Sequence, residues 1–453
     1  VDVRIKKGFD IPLAGKPAPE IATEESCSTV AVYPLEFEGM KQRLKVAEGD
    51  VVRRGGELME DKANEAFKLR APGAGRITSV VRGARRFVEQ IVIELDPADE
   101  VESFDRYTAD QLLTLDRAKI LAQLTTTGYL AFIRQRPFSH MANVSTPPKS
   151  IFVNAMNTAP FGADAETVVH DDPVAFQAGL DLMTRLTDGA VHLCLAADER
   201  GATLRGAQRV QTHTFAGPHP SGNSSLHISR VDPMDPHDVV WTVKAIDLVL
   251  IGRLFLDGAL PATRIIAVGG PGVTADACRH YRVRNGGNLG PLLSRVIAEA
   301  SPRVIAGDIL SGQAIETSDH LRLQQSAVTV IAEDTRRRFL GWTSPSLDQF
   351  SFMRLLPSTW LRRSHQWSLG SNLNGGLRAM VLTGHYDKVM PLNIMVDYLL
   401  RAVLAGDTDE SIALGILETD PEDFALCEFI CPSKVNLQAI IRRGLDAIEE
   451  EGV

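Results

Sequence analysis

At 453 residues the chain exceeds one compact domain, and its length predicts three or four. Hydrophobic residues at 44% and charged residues at 23% suit buried cores in a water-soluble protein and exclude a disordered or fibrous class. A formal net charge of -9 argues against a nucleic-acid binder, and five cysteines are too few and too odd a number for a disulfide framework, as in a reducing cytoplasm.

The chain opens Val1-Asp2-Val3-Arg4-Ile5-Lys6-Lys7 with no apolar core of signal-peptide length behind it. Arginines cluster at 53–54, 85–86, 336–338 and 362–363. Such clusters are ordinarily solvated surface; the sharper reading is a docking face for an acidic partner or an anionic membrane.

Residues 36–95 have a β rhythm. Val46-Ala47-Glu48-Gly49-Asp50-Val51-Val52 leads through Gly55-Gly56 to Glu60-Asp61-Lys62, and Ala71-Pro72-Gly73-Ala74-Gly75 leads to Ile91-Val92-Ile93. Short strands between Gly-bearing turns predict an all-β unit whose spacing resembles the barrel-sandwich hybrid of biotinyl and lipoyl carriers. Lys62 looks like the lysine of the lipoyl hairpin but lies ten residues before Pro72, a spacing that favours a carrier-like fold without a prosthetic group.

Residues 109–124 read as helix and 134–150 as a Pro-bearing basic loop. The run 150–156 predicts a buried strand, 173–186 an amphipathic helix and 191–195 a second strand, together a βαβ unit and a parallel sheet. A loop is expected at 217–222 and a helix over 239–257, stopped by Gly258. The stretch 246–260 is the most apolar, yet Asp247, Arg253 and Asp257 interrupt it, short of the roughly 20 apolar residues a membrane crossing needs.

Arg264-Ile265-Ile266-Ala267-Val268 opens a third region of short strands reaching about Trp342, with Ala327-Val328-Thr329-Val330-Ile331 among them. From Val389 onward the pattern is helical: Leu392, Met395, Val396, Leu399, Leu400, Val403 and Leu404 share a face, and a last helix runs over 437–451.

Gly270-Pro271-Gly272-Val273-Thr274-Ala275 fits a dinucleotide fingerprint formally, but no second strand with an acidic residue follows at the required place. Cys427 and Cys431, four apart, could share a metal on one helical face. With only two thiolates a [4Fe–4S] cluster is excluded, and buried structural thiols are expected. The eleven histidines form no H-E-x-x-H, and no G-x-S-x-G occurs; His213, His219 and His227, in a loop-rich stretch, are expected at the surface.

Several segments resemble one family in the right order along the whole chain. They are Ile5-Lys6-Lys7-Gly8-Phe9-Asp10-Ile11-Pro12-Leu13-Ala14-Gly15, Ala131-Phe132-Ile133-Arg134-Gln135-Arg136-Pro137-Phe138-Ser139, Phe215-Ala216-Gly217-Pro218-His219-Pro220 and Tyr386-Asp387-Lys388-Val389-Met390-Pro391-Leu392. Gly406-Asp407-Thr408-Asp409, Glu422-Asp423-Phe424-Ala425-Leu426-Cys427 and Ile430-Cys431-Pro432-Ser433-Lys434 complete the set. The family they resemble is that of the A-type subunits of the Na+-translocating NADH:quinone reductases (Na+-NQR).

The resemblance implies a multidomain α/β chain. Its units are a carrier-like barrel-sandwich hybrid (1–105), a Rossmann-like domain similar to the complex I flavin subunit (106–260), an SLBB-type β-grasp domain (261–345) and a mainly helical region (346–453). It also implies a peripheral subunit on the cytoplasmic side of a bacterial inner membrane, docked on membrane subunits and contributing to ubiquinone binding and assembly. No redox centre of its own is expected, with NADH, flavins and Fe–S groups on sister subunits. The alternatives are a pure scaffold and an electron-transfer subunit of the Rnf type.

For quinone the candidate is the segment 129–139, in which Phe132 and Phe138 offer flat apolar contact and Arg134 and Arg136 offer donors for carbonyl oxygens. Tyr33 and Phe37 become candidates if the fold brings them to that segment.

Overall fold

The computed structural model describes every residue except 38, 336–346, 348, 362–363 and 453, so the arginine clusters at 336–338 and 362–363, and Trp342, lie outside the described residues.

The Gly-punctuated apolar runs of residues 29–95 build two facing antiparallel sheets. Thr29–Val32, Val88–Leu95, Gly75–Arg82 and Val51–Val52 form one; Gln42–Leu44, Glu57–Asp61 and Lys68–Arg70 form the other. Val30, Leu58, Met59, Phe67, Ile91 and Ile93 are fully buried between them, as expected where two sheets close on one core. Lys62 is exposed in the turn just after Glu57–Asp61.

The chain ahead of this sandwich belongs to other sheets. Asp2–Arg4 pairs in parallel with Gln211–Ala216, and Ala18–Glu25 pairs in parallel with Arg279–Arg284.

The second unit is a seven-stranded sheet in the order Asp2–Arg4, Gln211–Ala216, Val191–Ala196, Ser150–Asn154, Val240–Lys244, Arg134–Arg136, His140–Met141. The first five strands run parallel, and the last two are added through antiparallel pairings, Arg134–Arg136 alone running against the rest. Ile151, Phe152 and Val153 on the central strand are 0–1% exposed, the sign of a sheet covered on both faces. Helix Pro173–Thr184 packs closely against helix Ala245–Asp257 at Gly179 and Gly252.

Two expectations change here. Residues 239–257, expected as one helix, are strand Val240–Lys244 followed by helix Ala245–Asp257. The β-branched run with Trp241 is slotted between two strands, and a buried strand and a buried helix are indistinguishable by apolar content alone. Residues 134–150, expected as a loop, contain the hairpin Arg134–Arg136 and His140–Met141. Arg-Gln-Arg shows no apolar alternation, so only the neighbouring strand reveals it.

The third sheet has the order Gln313–Ile315, Pro302–Ala306, Ala327–Ala332, Thr263–Gly269, Arg279–Arg284, Ala18–Glu25. A hairpin, the helix Gly290–Val296 and a return strand parallel to the first make this a β-grasp, with Leu292, Leu293 and Val296 packed on Ile266, Val268 and Val328. The glycines at 270 and 272 lead through a single 3-10 turn, Ala275–Ala277, into the antiparallel strand Arg279–Arg284, not into an α-helix. They therefore offer no helix N-terminus to a pyrophosphate.

The C-terminal helices Val396–Ala405, Thr408–Ala413, Ala425–Ile430 and Leu437–Glu451 bury Leu399, Leu400, Ile441, Leu445 and Ile448 together. Between the β-grasp and these helices the described chain has little regular structure beyond helix Pro357–Leu361. Phe350 and Phe352 anchor it on Phe9, with ring centroids 5.9 and 5.1 Å away. No helix among the described residues is long and apolar enough to cross a membrane.

Candidate functional site

From Ser150–Asn154 the parallel strands proceed in one direction to Val191–Ala196 and Gln211–Ala216. The chain then returns to add Val240–Lys244 on the other side. Loops leave the two central strands in opposite directions, which opens a crevice at their C-terminal ends, where ligands of open α/β sheets bind. Two adjoining cavities, of about 540 and 680 Å³, fill that position. Arg134, Ser224, Lys244, Gln324 and Glu422 line both, so they are parts of one crevice. Asn154 closes the first strand there, and helices Ser224–Val231 and Ala245–Asp257 start at its wall. The β-grasp contributes Asp308 and Gln324, and the C-terminal region contributes Glu422.

The segment 129–139 reaches this crevice with only some of its residues. Arg134 lies on its wall, half-buried, donating to the carbonyl of Ser139 (3.2 Å) and to Gln324 Oε1 (2.5 Å). Phe132 lines the larger cavity, yet is 4% exposed, edge-on to Tyr129 at 5.0 Å and 5.9 Å from the Arg264 guanidinium. Arg136 borders the larger cavity but is buried, and its two Nη groups are engaged: they donate to Ser225 Oγ (3.0 Å), Asp420 Oδ2 (3.2 Å) and the Thr419 carbonyl (2.6 Å). Phe138 faces away into the C-terminal core, and its carbonyl accepts from Arg442 at 2.9 Å.

Of the two secondary candidates, the fold brings one to the crevice. Tyr33 lines the smaller cavity; its hydroxyl accepts from Gln90 Nε2 (3.0 Å) and from the His320 backbone N–H (3.1 Å), and Arg322 lies over its ring at 5.2 Å. Burial raises its phenol above the ordinary value. Beside it, Glu36 accepts from the backbone N–H groups of Leu323 and Gln324, fixing the loop that holds Arg134. Phe37 lies in the sandwich core, 5.7 Å from Phe67.

Lys244 and Glu422 are crevice residues that sequence reasoning missed. Lys244 ends a strand that reads as helix, so its place at a strand terminus was hidden; Glu422 stood in a recognised segment without a role. Glu422 is open to the water of the crevice but enclosed by protein at short range. That enclosure lifts its carboxyl to about 7; Lys244 opposes the shift, while Asp420, Asp308 and Asp423 add to it.

Residues 3–96 match the family described as NqrA N-terminal barrel-sandwich hybrid domain, and residues 115–260 the one described as NqrA second alpha/beta domain. Over 453 residues the chain is 38% identical to the A-type subunit of the Na(+)-translocating NADH-quinone reductase of Neisseria meningitidis serogroup C, covering 99% of this chain and 100% of that one. It is 40% identical to the corresponding subunit of Glaesserella parasuis serovar 5, again over 99% and 100%. The chain belongs to the NqrA family. It is thus the A-type subunit of a Na+-translocating NADH-quinone reductase. A crystal structure of NAD+-reducing [NiFe]-hydrogenase in the H2-reduced state aligns over 50% of the chain and 49% of its own, at 16% identity and a TM-score of 0.35, a likeness too slight to bear on the fold.

In this NqrA chain Cys427 and Cys431 are both buried, and the Cys431 Sγ lies 3.0 Å from the Tyr386 hydroxyl. Burial pushes the Cys427 thiol far up, so it stays protonated at neutral pH. Among the described residues no group of three or more His, Cys, Asp or Glu is placed to hold a metal ion. The histidines expected at the surface are buried instead: His213 on a strand, His219 and His227 behind the crevice. His227 stacks on Phe215 at 4.2 Å and sits 2.9 Å from the Ser221 carbonyl, and burial lowers it to about 4. The sheet and its helices cover a stretch whose Gly and Pro content reads as open loop.

Proposed function

We propose that this subunit is peripheral, on the cytoplasmic face of a bacterial inner membrane, carries no redox centre of its own, and binds the head group of ubiquinone in the crevice at the sheet's switch point. NADH, flavins and Fe–S groups then belong to sister subunits. The division into units at 105, 260 and 345 is part of the same reading, with the crevice lying between the second unit, the third and the helical C-terminal region.

The observation that carries the quinone reading is Arg134 on the wall of both cavities, with Phe132 lining one and Tyr33 the other. A quinone carbonyl needs a donor and its ring a flat apolar contact; Arg134, Lys244 and Tyr33 supply donors, and Ala131, Phe132, Met156 and Ile246 apolar wall. Arg134 and Lys244 also favour the anionic reduced forms electrostatically.

Titration of a short-chain ubiquinone into the purified complex and into the isolated chain tests this. Arg134→Ala should weaken binding roughly tenfold or more, since a hydrogen bond to a charged group contributes about 1.5–3 kcal/mol. Phe138→Ala, whose side chain packs into the C-terminal core away from both cavities, should leave the affinity of the folded protein unchanged. Equal affinity for Arg134→Ala and the parent would remove the crevice as the quinone site.

A further inference from the structure

Two electrons alone turn a quinone into a dianion, and the quinol needs two protons as well. A site where quinone is reduced therefore gains from an acid on its wall. Most charged side chains of the crevice are occupied by the protein itself. Arg134 bonds to Gln324 and Ser139, Arg136 to Ser225, Asp420 and Thr419, and Arg442 to Asp446 Oδ1 (2.8 Å). Arg322 donates to Gln313 and lies over Tyr33. Asp247 accepts from Arg264 (3.1 Å). Glu36 accepts from the backbone of Leu323 and Gln324, Asp308 from that of Leu310 and Ser311, and Glu428 from that of Leu437 and Gln438.

Lys244 and Glu422 are the exceptions. Among the described residues neither side chain has a hydrogen bond or an ion pair, and each lines both cavities. The turn that carries Glu422 is fixed on either side of it. Asp420 caps Pro421–Phe424, accepting from the Glu422 N–H (3.2 Å), and is itself bonded by Ser139 and by Arg136 (3.2 Å). Asp423 accepts from the Asp420 N–H (2.8 Å) and from Asn223 Nδ2 (2.9 Å). Both aspartates hold backbone in place, and the glutamate between them keeps a free carboxyl open to the crevice water.

We propose that Glu422 is the proton donor to a quinone bound in this crevice and is re-protonated from the crevice water. In the step the carboxyl O–H bond breaks and an O–H bond forms on one quinone carbonyl oxygen, while the two electrons come from NADH by way of the sister subunits. The second oxygen takes its proton from water. The surroundings suit the role. Enclosure holds the Glu422 carboxyl at about 7, with Lys244 opposing and Asp420, Asp308 and Asp423 adding, and Arg136 stands behind two of those aspartates. An acid of that strength is half-loaded at neutral pH, where a proton donor works best. Lys244 then faces the carboxylate that the transfer leaves behind.

This inference rests on the quinone reading of the crevice. The test is rapid mixing of the NADH-reduced complex with saturating short-chain ubiquinone, following quinol formation from about pH 5 to 9; saturation separates slower proton transfer from weaker binding. The parental rate should fall as pH rises through about 7. Glu422→Gln should be at least tenfold slower below that pH and show no such fall, since a positioned acid contributes about 10²–10⁴-fold. Glu422→Asp, which keeps an acid, should keep a pH-dependent rate. A parental rate and pH profile in Glu422→Gln, with Arg134→Ala still weakening binding, would overturn the proposal and leave the crevice as the quinone site. Unaltered binding in Arg134→Ala would remove the crevice and this role together. A parental rate that is flat across the range would overturn the proposal without any variant.

Discussion

Glu422 is the side chain in the crevice whose protonation responds to pH in the neutral range. Its carboxyl is lifted from an ordinary value of 4.5 to about 7 by enclosure, with three aspartates adding and Lys244 opposing. The sign of the stability effect follows from proton counting. Between about 4.5 and 7 the folded chain holds a proton that the unfolded chain has released, so this group's contribution to stability falls as pH rises through that window. Glu422→Gln removes the titration, and urea midpoints measured from pH 5 to 8 should therefore fall less steeply with pH in the variant. Identical slopes in variant and parent would show that the carboxyl is not raised. Below about pH 7 the protonated acid is also a hydrogen-bond donor beside Lys244; above it, an acceptor and a counter-ion.

Between helices Pro173–Thr184 and Ala245–Asp257 the packing depends on two absent side chains. A Cβ on Gly252 would lie 1.8 Å from the Ala175 carbonyl oxygen, and one on Gly179 would lie 2.5 Å from that of Leu248. Both clashes are with backbone, which a rotamer change cannot relieve. Gly252→Ala must push the helices apart and should cost about 1–3 kcal/mol, the range for overpacking a filled core, despite alanine's better helix propensity. A thermal melt that is unchanged or raised would contradict the close approach. Helix Pro173–Thr184 and the C-terminal helices were legible because their apolar periodicity is long and their stops are marked, as at Gly406, which caps its helix at φ +74°. The carrier-like sandwich was legible from its turn glycines. Strand Val240–Lys244 and the hairpin Arg134–Arg136 were not, since an apolar run has no period of its own and Arg-Gln-Arg is strand only through its neighbour. The same limit hid half of the crevice: Arg134 was visible as a basic residue near aromatics, but Lys244 and Glu422 meet it only through tertiary contacts.

Ion pairs tie the units into one body. Asp171, at the end of helix Ala165–Asp171 in the Rossmann-like unit, pairs with Arg282 of the β-grasp and with Arg253 (3.2 Å) of its own unit. Asp99 at the edge of the sandwich pairs with Arg54 (3.1 Å) and with Arg284, on the same β-grasp strand as Arg282. Asp171→Ala leaves Arg282 without its counter-ion beside Arg253, which keeps Asp172 at 2.7 Å. It should lower stability by about 2–3 kcal/mol, less than for a fully buried pair because all three groups keep some solvent. Proteolysis between the second and third units should quicken in the variant; parental rates would mean that the junction is held by apolar packing alone.

The sharing out of the first residues among distant sheets has a consequence for how the protein is made. Asp2–Arg4 leaves the ribosome early but bonds to Gln211–Ala216, and Ala18–Glu25 must wait for Arg279–Arg284. At roughly 5–20 residues per second, the first of these waits lasts on the order of ten to forty seconds, and the second is longer. Throughout that interval the nascent chain carries two unpaired strands ahead of the sandwich, which can already close. The newborn polypeptide is thus a folded bead preceded by loose strands, a species that chaperones would hold and that crowding would aggregate.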